Sequence, residues 1–226
     1  INSQASFQDL PINTEITSLA DQVSIEFLLN ALAIPDLCYN SLTLLNFIVK
    51  KRHNVSQISQ IFTSPLLIEL CKNRPDLPFG PIVYFYFRDS LHNGRFDQNF
   101  LFKTEPETFN QICTQMLISG VSLNNIYLIK IFRLLCKMNS DENPMAQFEG
   151  LFTEFVNKLP EFILSNKTSL IESALSFVPN LNPIPDEVLN AVWIVLPHPF
   201  KQNHGLAFDI VMNNLERIAS AYPPEN

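Results

Sequence analysis

Apolar residues recur along this chain at intervals of three and four, the spacing that gathers side chains on one face of a helix. Ile16, Leu19, Ala20, Val23 and Phe27 form the first such stripe. Pro35 ends it, because proline lacks the backbone donor a helix interior needs, and Asp36 suits the positive end of a second helix running from Leu37 to about Arg52. That helix is expected to bury Leu37, Leu44, Leu45 and Ile48. The clearest stripe is Leu123, Ile126, Tyr127, Ile131, Leu134, Leu135 and Met138. Three more follow: Met145, Phe148, Phe152, Phe155, Val156 and Leu159; then Val188, Leu189, Val192 and Leu196; then Ala207, Ile210, Val211, Leu215 and Ile218. Proline and asparagine interrupt these stripes, and the pattern predicts an all-α chain.

The segments pair into hairpins whose second helices are expected to begin near Asp36, Pro81, Ser122, Lys167 and Gly205. The spacing falls in or close to the roughly 40 to 47 residues of helical-hairpin repeats. Three second helices end alike, in Lys50-Lys51-Arg52-His53-Asn54, Arg88-Asp89-Ser90-Leu91-His92-Asn93 and Arg133-Leu134-Leu135-Cys136-Lys137-Met138-Asn139. Each carries a basic residue near its end and an asparagine that can cap in the left-handed region.

In this period and amphipathic pairing the chain resembles the armadillo/HEAT superfamily over nearly all of its length. The resemblance implies a right-handed superhelical solenoid of about five helical hairpins, and a non-catalytic scaffold that binds proteins or extended peptides along a groove. An irregular compact helical bundle is the alternative fold. The repeated Trp-x-x-x-Asn clamp of import-adaptor members is missing: Trp193 stands alone, with Pro197 four residues on. The expected organisation is a tail over residues 1–11 and one helical domain over 12–222. An opening Ile1 in place of Met suggests a piece of a larger protein or complex.

Composition narrows the chemistry. With 5 glycines against 16 prolines in 226 residues, the chain lacks the backbone freedom that glycine-rich phosphate loops require. Neither G-x-x-x-x-G-K-[ST], G-x-G-x-x-G nor G-x-S-x-G occurs. Cys38, Cys71, Cys113 and Cys136 each sit in apolar segments and form no C-x-x-C pair, which predicts buried thiols in a reducing cytosolic or nuclear setting. His198 and His204 flank Pro199 without further ligands at metal-binding spacing. Asp141-Glu142 and Asp186-Glu187 stand where helices start, and the helix dipole accounts for them. Candidate membrane spans such as Ile25 to Ile34 are interrupted by Glu26 and Asn30, so no membrane insertion is expected. No cofactor, metal or catalytic group is expected, and the function is read as binding.

Charge is distributed unevenly. Net charge is −7, yet residues 50–137 hold 11 basic and 6 acidic side chains, while residues 1–49 hold five acids and no Lys or Arg. Lys130, Arg133 and Lys137 share one helical stripe, and Arg88 stands on the hairpin before. Were second helices to lie side by side, Lys50 or Lys51, Arg88, Lys130, Arg133 and Lys137 would form one basic ridge suited to acidic partners. The candidate binding residues are Lys51, Arg88, Lys130, Arg133 and Lys137, with Tyr84 and Tyr86. Those tyrosines belong to the run Tyr84-Phe85-Tyr86-Phe87, which covers every side of a helix, so at least one ring must be buried and another can face a partner. The same central stretch, 50–137, supports a second reading as an RNA- or phosphate-binding module.

Overall fold

The computed structural model describes residues 23–52, 61–62, 64–92, 105–137, 148–197 and 204–221, and every regular element among them is helical. The helices are α1 (Ile25–Ala31), α2 (Pro35–Arg52), α3 (Pro65–Asn73), α4 (Gly80–His92), α5 (Pro106–Ile118), α6 (Ser122–Lys137), α7 (Glu149–Ile163), α8 (Thr168–Phe177), α9 (Asp186–Val195), α10 (His204–Asn213) and α11 (Leu215–Ala221). The expected second helices are all present, with starts within one residue of those read from sequence. Proline marks three helix starts: Pro35, Pro65 and Pro106 open α2, α3 and α5, at first helical positions where the missing N–H is not needed. The expected tail over 1–11 and the exit residues Asn54, Asn93 and Asn139 lie outside the described residues.

Packing follows a simple rule. Sequential pairs α1–α2, α5–α6, α7–α8 and α9–α10 lie against each other, and the remaining extensive contacts join alternate helices. One row therefore runs α3, α5, α7, α9 and α11, and a second runs α2, α4, α6, α8 and α10. Between the rows lies a core rich in phenylalanine. Phe87 stacks on Phe109, which meets Phe148 edge-on, while Phe155 touches Phe132, Phe152, Phe162 and Phe177.

The register between hairpins is set by buried polar bonds at the corners. The α3–α4 corner presents three carbonyls to its neighbours: Ser119 Oγ donates to Pro75 O, Asn124 Nδ2 to Leu77 O at 2.8 Å, and Asn46 Nδ2 to Pro78 O. Asn124 Oδ1 also accepts the Gly80 N–H at 2.8 Å. An orphan donor at the start of α4 is thus capped by a side chain of α6, one hairpin along.

Three residues assigned to core stripes are exposed: Phe27 at 62%, Leu37 at 41% and Leu215 at 45%. They sit on the terminal helices α1, α2 and α11, whose outer sides have no described helix against them, so periodicity alone overstated their burial. In the middle of the array the opposite holds. Asn124 to Ile129, Ile131, Phe132 and Leu135 are all buried, because α4, α5 and α8 enclose α6 on three sides.

Candidate partner-binding surface

The second-helix row brings part of the expected basic ridge together. Arg88, on the third turn of α4, lies with its guanidinium carbon 4.6 Å from the Phe85 ring centroid and 6.0 Å from that of Tyr84. It also pairs with Asp89 at 2.7 Å. On the neighbouring α6, Lys130 Nζ stands 4.3 Å from the Tyr127 ring centroid and 5.9 Å from that of Tyr84. Tyr84 and Tyr127 meet at 5.3 Å. The Tyr84 ring is therefore shared between two cations from two hairpins, an arrangement in which each positive charge faces ring quadrupoles at a gain of about 0.5–2 kcal/mol.

Burial shapes the electrostatics. It holds the Lys130 ammonium below the usual lysine range, and the charge of Lys50 on α2 pushes the same way. Burial raises the Tyr127 hydroxyl above its ordinary value, with Tyr84 adding to the rise and Arg88 opposing it. Two successive second helices, α4 and α6, thus meet over one aromatic floor.

Not every expected residue joins. Arg133 and Lys137 are exposed on α6, one and two turns past Lys130. Tyr86 is only 7% exposed and stacks on Phe62 at 4.2 Å, so it is a core ring and not a docking one. The cause is the two-sided packing of α4 between α2 and α6, which buries Phe85, Tyr86 and Phe87 and leaves Tyr84 half-buried. Lys51 lies in the last turn of α2, and its side chain is outside the described residues. Tyr127, expected in the core, is buried there at 7% exposure and also lies under Lys130.

Among the described residues no His, Cys, Asp and Glu group could hold a metal ion, and no helix is long and apolar enough to cross a membrane. The side chains of His198 and His204 lie outside the described residues. An open depression of about 460 Å³ at the α10–α11 bend is lined by Met212, Asn213, Asn214, Leu215, Glu216 and Arg217. Arg217 there donates to Ile184 O at 2.8 Å and pairs with Asp186.

The four thiols are free, with Cys38, Cys71 and Cys113 buried and Cys136 half-buried. Burial raises all four above the ordinary thiol range, which starves them of the reactive thiolate. With an aromatic disulfide reagent at neutral pH, the native protein is expected to react slowly and at Cys136 alone. All four should react at once in denaturant, and rapid native modification of Cys71 or Cys113 would contradict the packing.

Lys130 offers a sharper test. Its charge is desolvated and repelled by Lys50, whereas a methionine keeps the stem and adds a sulfur–aromatic contact. Lys130→Met is expected to leave the melting temperature unchanged or raise it. A fall of several degrees would show that the ammonium is held for stability.

No protein-family model, no curated protein sequence and no solved structure matches this chain.

Proposed function

We propose that the protein is a right-handed superhelical solenoid of the armadillo/HEAT kind, a non-enzymatic scaffold that binds a protein or extended peptide along its second-helix row. The observation that carries this reading is the meeting of Arg88 and Lys130, from two successive second helices, over the Tyr84 ring beside Tyr127. Repeated stacking turns equivalent positions into a continuous strip, and aromatic floors with cations supply both contact area and steering of acidic partners. Arg133 and Lys137 continue the strip on α6. Unpaired, buried thiols suit a reducing compartment, cytosol or nucleus.

Affinity capture with the chain as bait tests this, with and without nuclease, followed by Arg133→Glu and Lys137→Glu. Both side chains are exposed, so the double reversal should not alter folding. The scaffold reading expects one protein held through nuclease treatment and lost by at least about tenfold on reversal, a cost of about 1.4 kcal/mol. Capture abolished by nuclease would favour the RNA reading of residues 50–137, and binding should then weaken steeply with salt.

A further inference from the structure

At the far end of the second-helix row, α10 is apolar on both sides. Ala207, Ile210 and Val211 are buried, while Phe208 at 49% and Met212 at 50% stand exposed one turn apart on the other side. A helix that is hydrophobic all round belongs under cover on every side. After Met212 the chain bends at Asn214 into α11, where Leu215, 45% exposed, continues the apolar surface. The bend is firmly held. Asn214 Nδ2 donates to Ile210 O at 2.9 Å, closing α10, and Asn214 O accepts the Ile218 N–H at 3.1 Å, opening α11. Arg217 ties α11 to the start of α9 through Ile184 O and Asp186. The open depression of about 460 Å³ lined by Met212 to Arg217 is therefore preformed, and its volume falls in the range of roughly 300–1,000 Å³ typical of cavities that take a ligand.

Charge decides what covers this surface. Asp209 is exposed on α10 one turn before Met212 and Asn213, and Glu216 lines the depression on α11. Over α9 to α11 four carboxylates, Asp186, Glu187, Asp209 and Glu216, stand against one guanidinium, Arg217, which already holds Asp186. An acidic peptide or an anionic membrane surface would be repelled. A second copy stacked end to end is disfavoured as well: at the α1–α2 end the exposed Phe27, Ile34 and Leu37 lie among Glu26 and Asp36, so like charges would meet. We propose that the outer face of α10 and the depression at its bend with α11 dock a basic amphipathic helix of a partner protein. Apolar side chains of that helix pack on Phe208, Met212 and Leu215, and its lysines or arginines meet Asp209 and Glu216. This surface is separate from the basic strip of α4 and α6 and recognises the opposite charge.

The probe is a fluorescent peptide of about 18 residues of leucine, alanine and lysine, long enough to form a helix, with leucines three and four apart. It is added to the whole chain at constant ionic strength and read by anisotropy. Saturable binding is expected, and replacing its leucines by serine or its lysines by glutamate should each weaken it at least about tenfold. Phe208→Ser with Met212→Ser removes two exposed side chains, so the melting curve should hold while affinity for the lysine probe falls at least about tenfold. Asp209→Lys with Glu216→Lys should reverse the preference, so that the glutamate probe binds tighter than the lysine one. Glu154→Lys with Glu161→Lys, the same change in net charge at exposed positions of α7, should leave the preference for lysine in place. Equal affinity for the two probes, or an equal effect of the α7 reversal, would overturn the proposal. So would dimerisation in sedimentation that Phe208→Ser abolishes, or recruitment to phosphatidylcholine vesicles lost with the same change. Arg133→Glu with Lys137→Glu should not weaken the lysine probe, so failure of this docking face leaves the α4–α6 strip standing, and failure of that strip leaves this face.

Discussion

Asn124→Ala is expected to destabilise the protein by about 3 kcal/mol. The side chain is fully buried and makes three bonds at once: Oδ1 accepts from Gly80 N at 2.8 Å, and Nδ2 donates to Leu77 O at 2.8 Å and to Ser119 Oγ at 3.0 Å. Its removal strands a backbone donor and a backbone acceptor out of reach of water, and each such group costs about 1–3 kcal/mol. Thermal unfolding measures this directly. At about 2–4 °C per kcal/mol for a chain of this size, the melting temperature should drop by roughly 10 °C. The companion Gly80→Ala probes the same joint from the other side, since a Cβ there would lie 2.8 Å from the Asn124 backbone Cα. Both atoms belong to helices fixed by packing, so the corner must shift and the bond with it. The alanine variant should lose about 1–3 kcal/mol, and combining it with Asn124→Ala should cost less than the two losses added, because both break one contact. Full additivity would mean that the two residues do not act on a shared joint.

The second large effect is expected at Phe155. This side chain is fully buried on α7 and stacks on Phe132 of α6 at 4.5 Å, with Phe177 of α8 edge-on at 5.0 Å. It therefore fastens a first-row helix to two consecutive second-row helices. Phe155→Ala should cost about 3–5 kcal/mol, the usual range for emptying a packed phenylalanine site. Denaturant titration should show the midpoint fall. If packing passes only between neighbours, hydrogen exchange should quicken first in α6, α7 and α8, with α2 and α3 protected at a higher level. Uniform loss of protection across the chain would instead describe one undivided core.

The contrast between these two sites shows what could be read from the residues. Phe155 was legible because its stripe on α7 repeats with helical period, and helix starts were legible because proline and acidic residues mark them locally. Asn124 was not. Two adjacent asparagines inside a largely buried helix are a visible anomaly, but the partners of Asn124, Gly80 and Leu77, lie 44 and 47 positions away and become neighbours only when hairpins stack. The same limit applies to Tyr84 and Tyr86. Both belong to a run that covers a whole helix, and the presence of α2 on one side and α6 on the other decides which ring is buried. Between Lys50 and Lys51 the residues offered no local basis for a choice, since one residue turns the helix by about 100°. Phe27 and Leu37 show the converse: a stripe is buried only where something lies against it.

The central claim is that a partner lies along the second-helix row. Site-specific photocrosslinking tests it most directly, with the reactive side chain placed at Arg133 on α6 in one protein and at Gln111 on α5 in another; both positions are exposed, one on each row. The account expects the protein captured through nuclease treatment to crosslink at position 133 and not at 111, and to be lost when Lys50 and Lys130 are both replaced by glutamate. Crosslinking of that protein at 111 alone, unaffected by the glutamates, would place the partner on the opposite row and contradict the account.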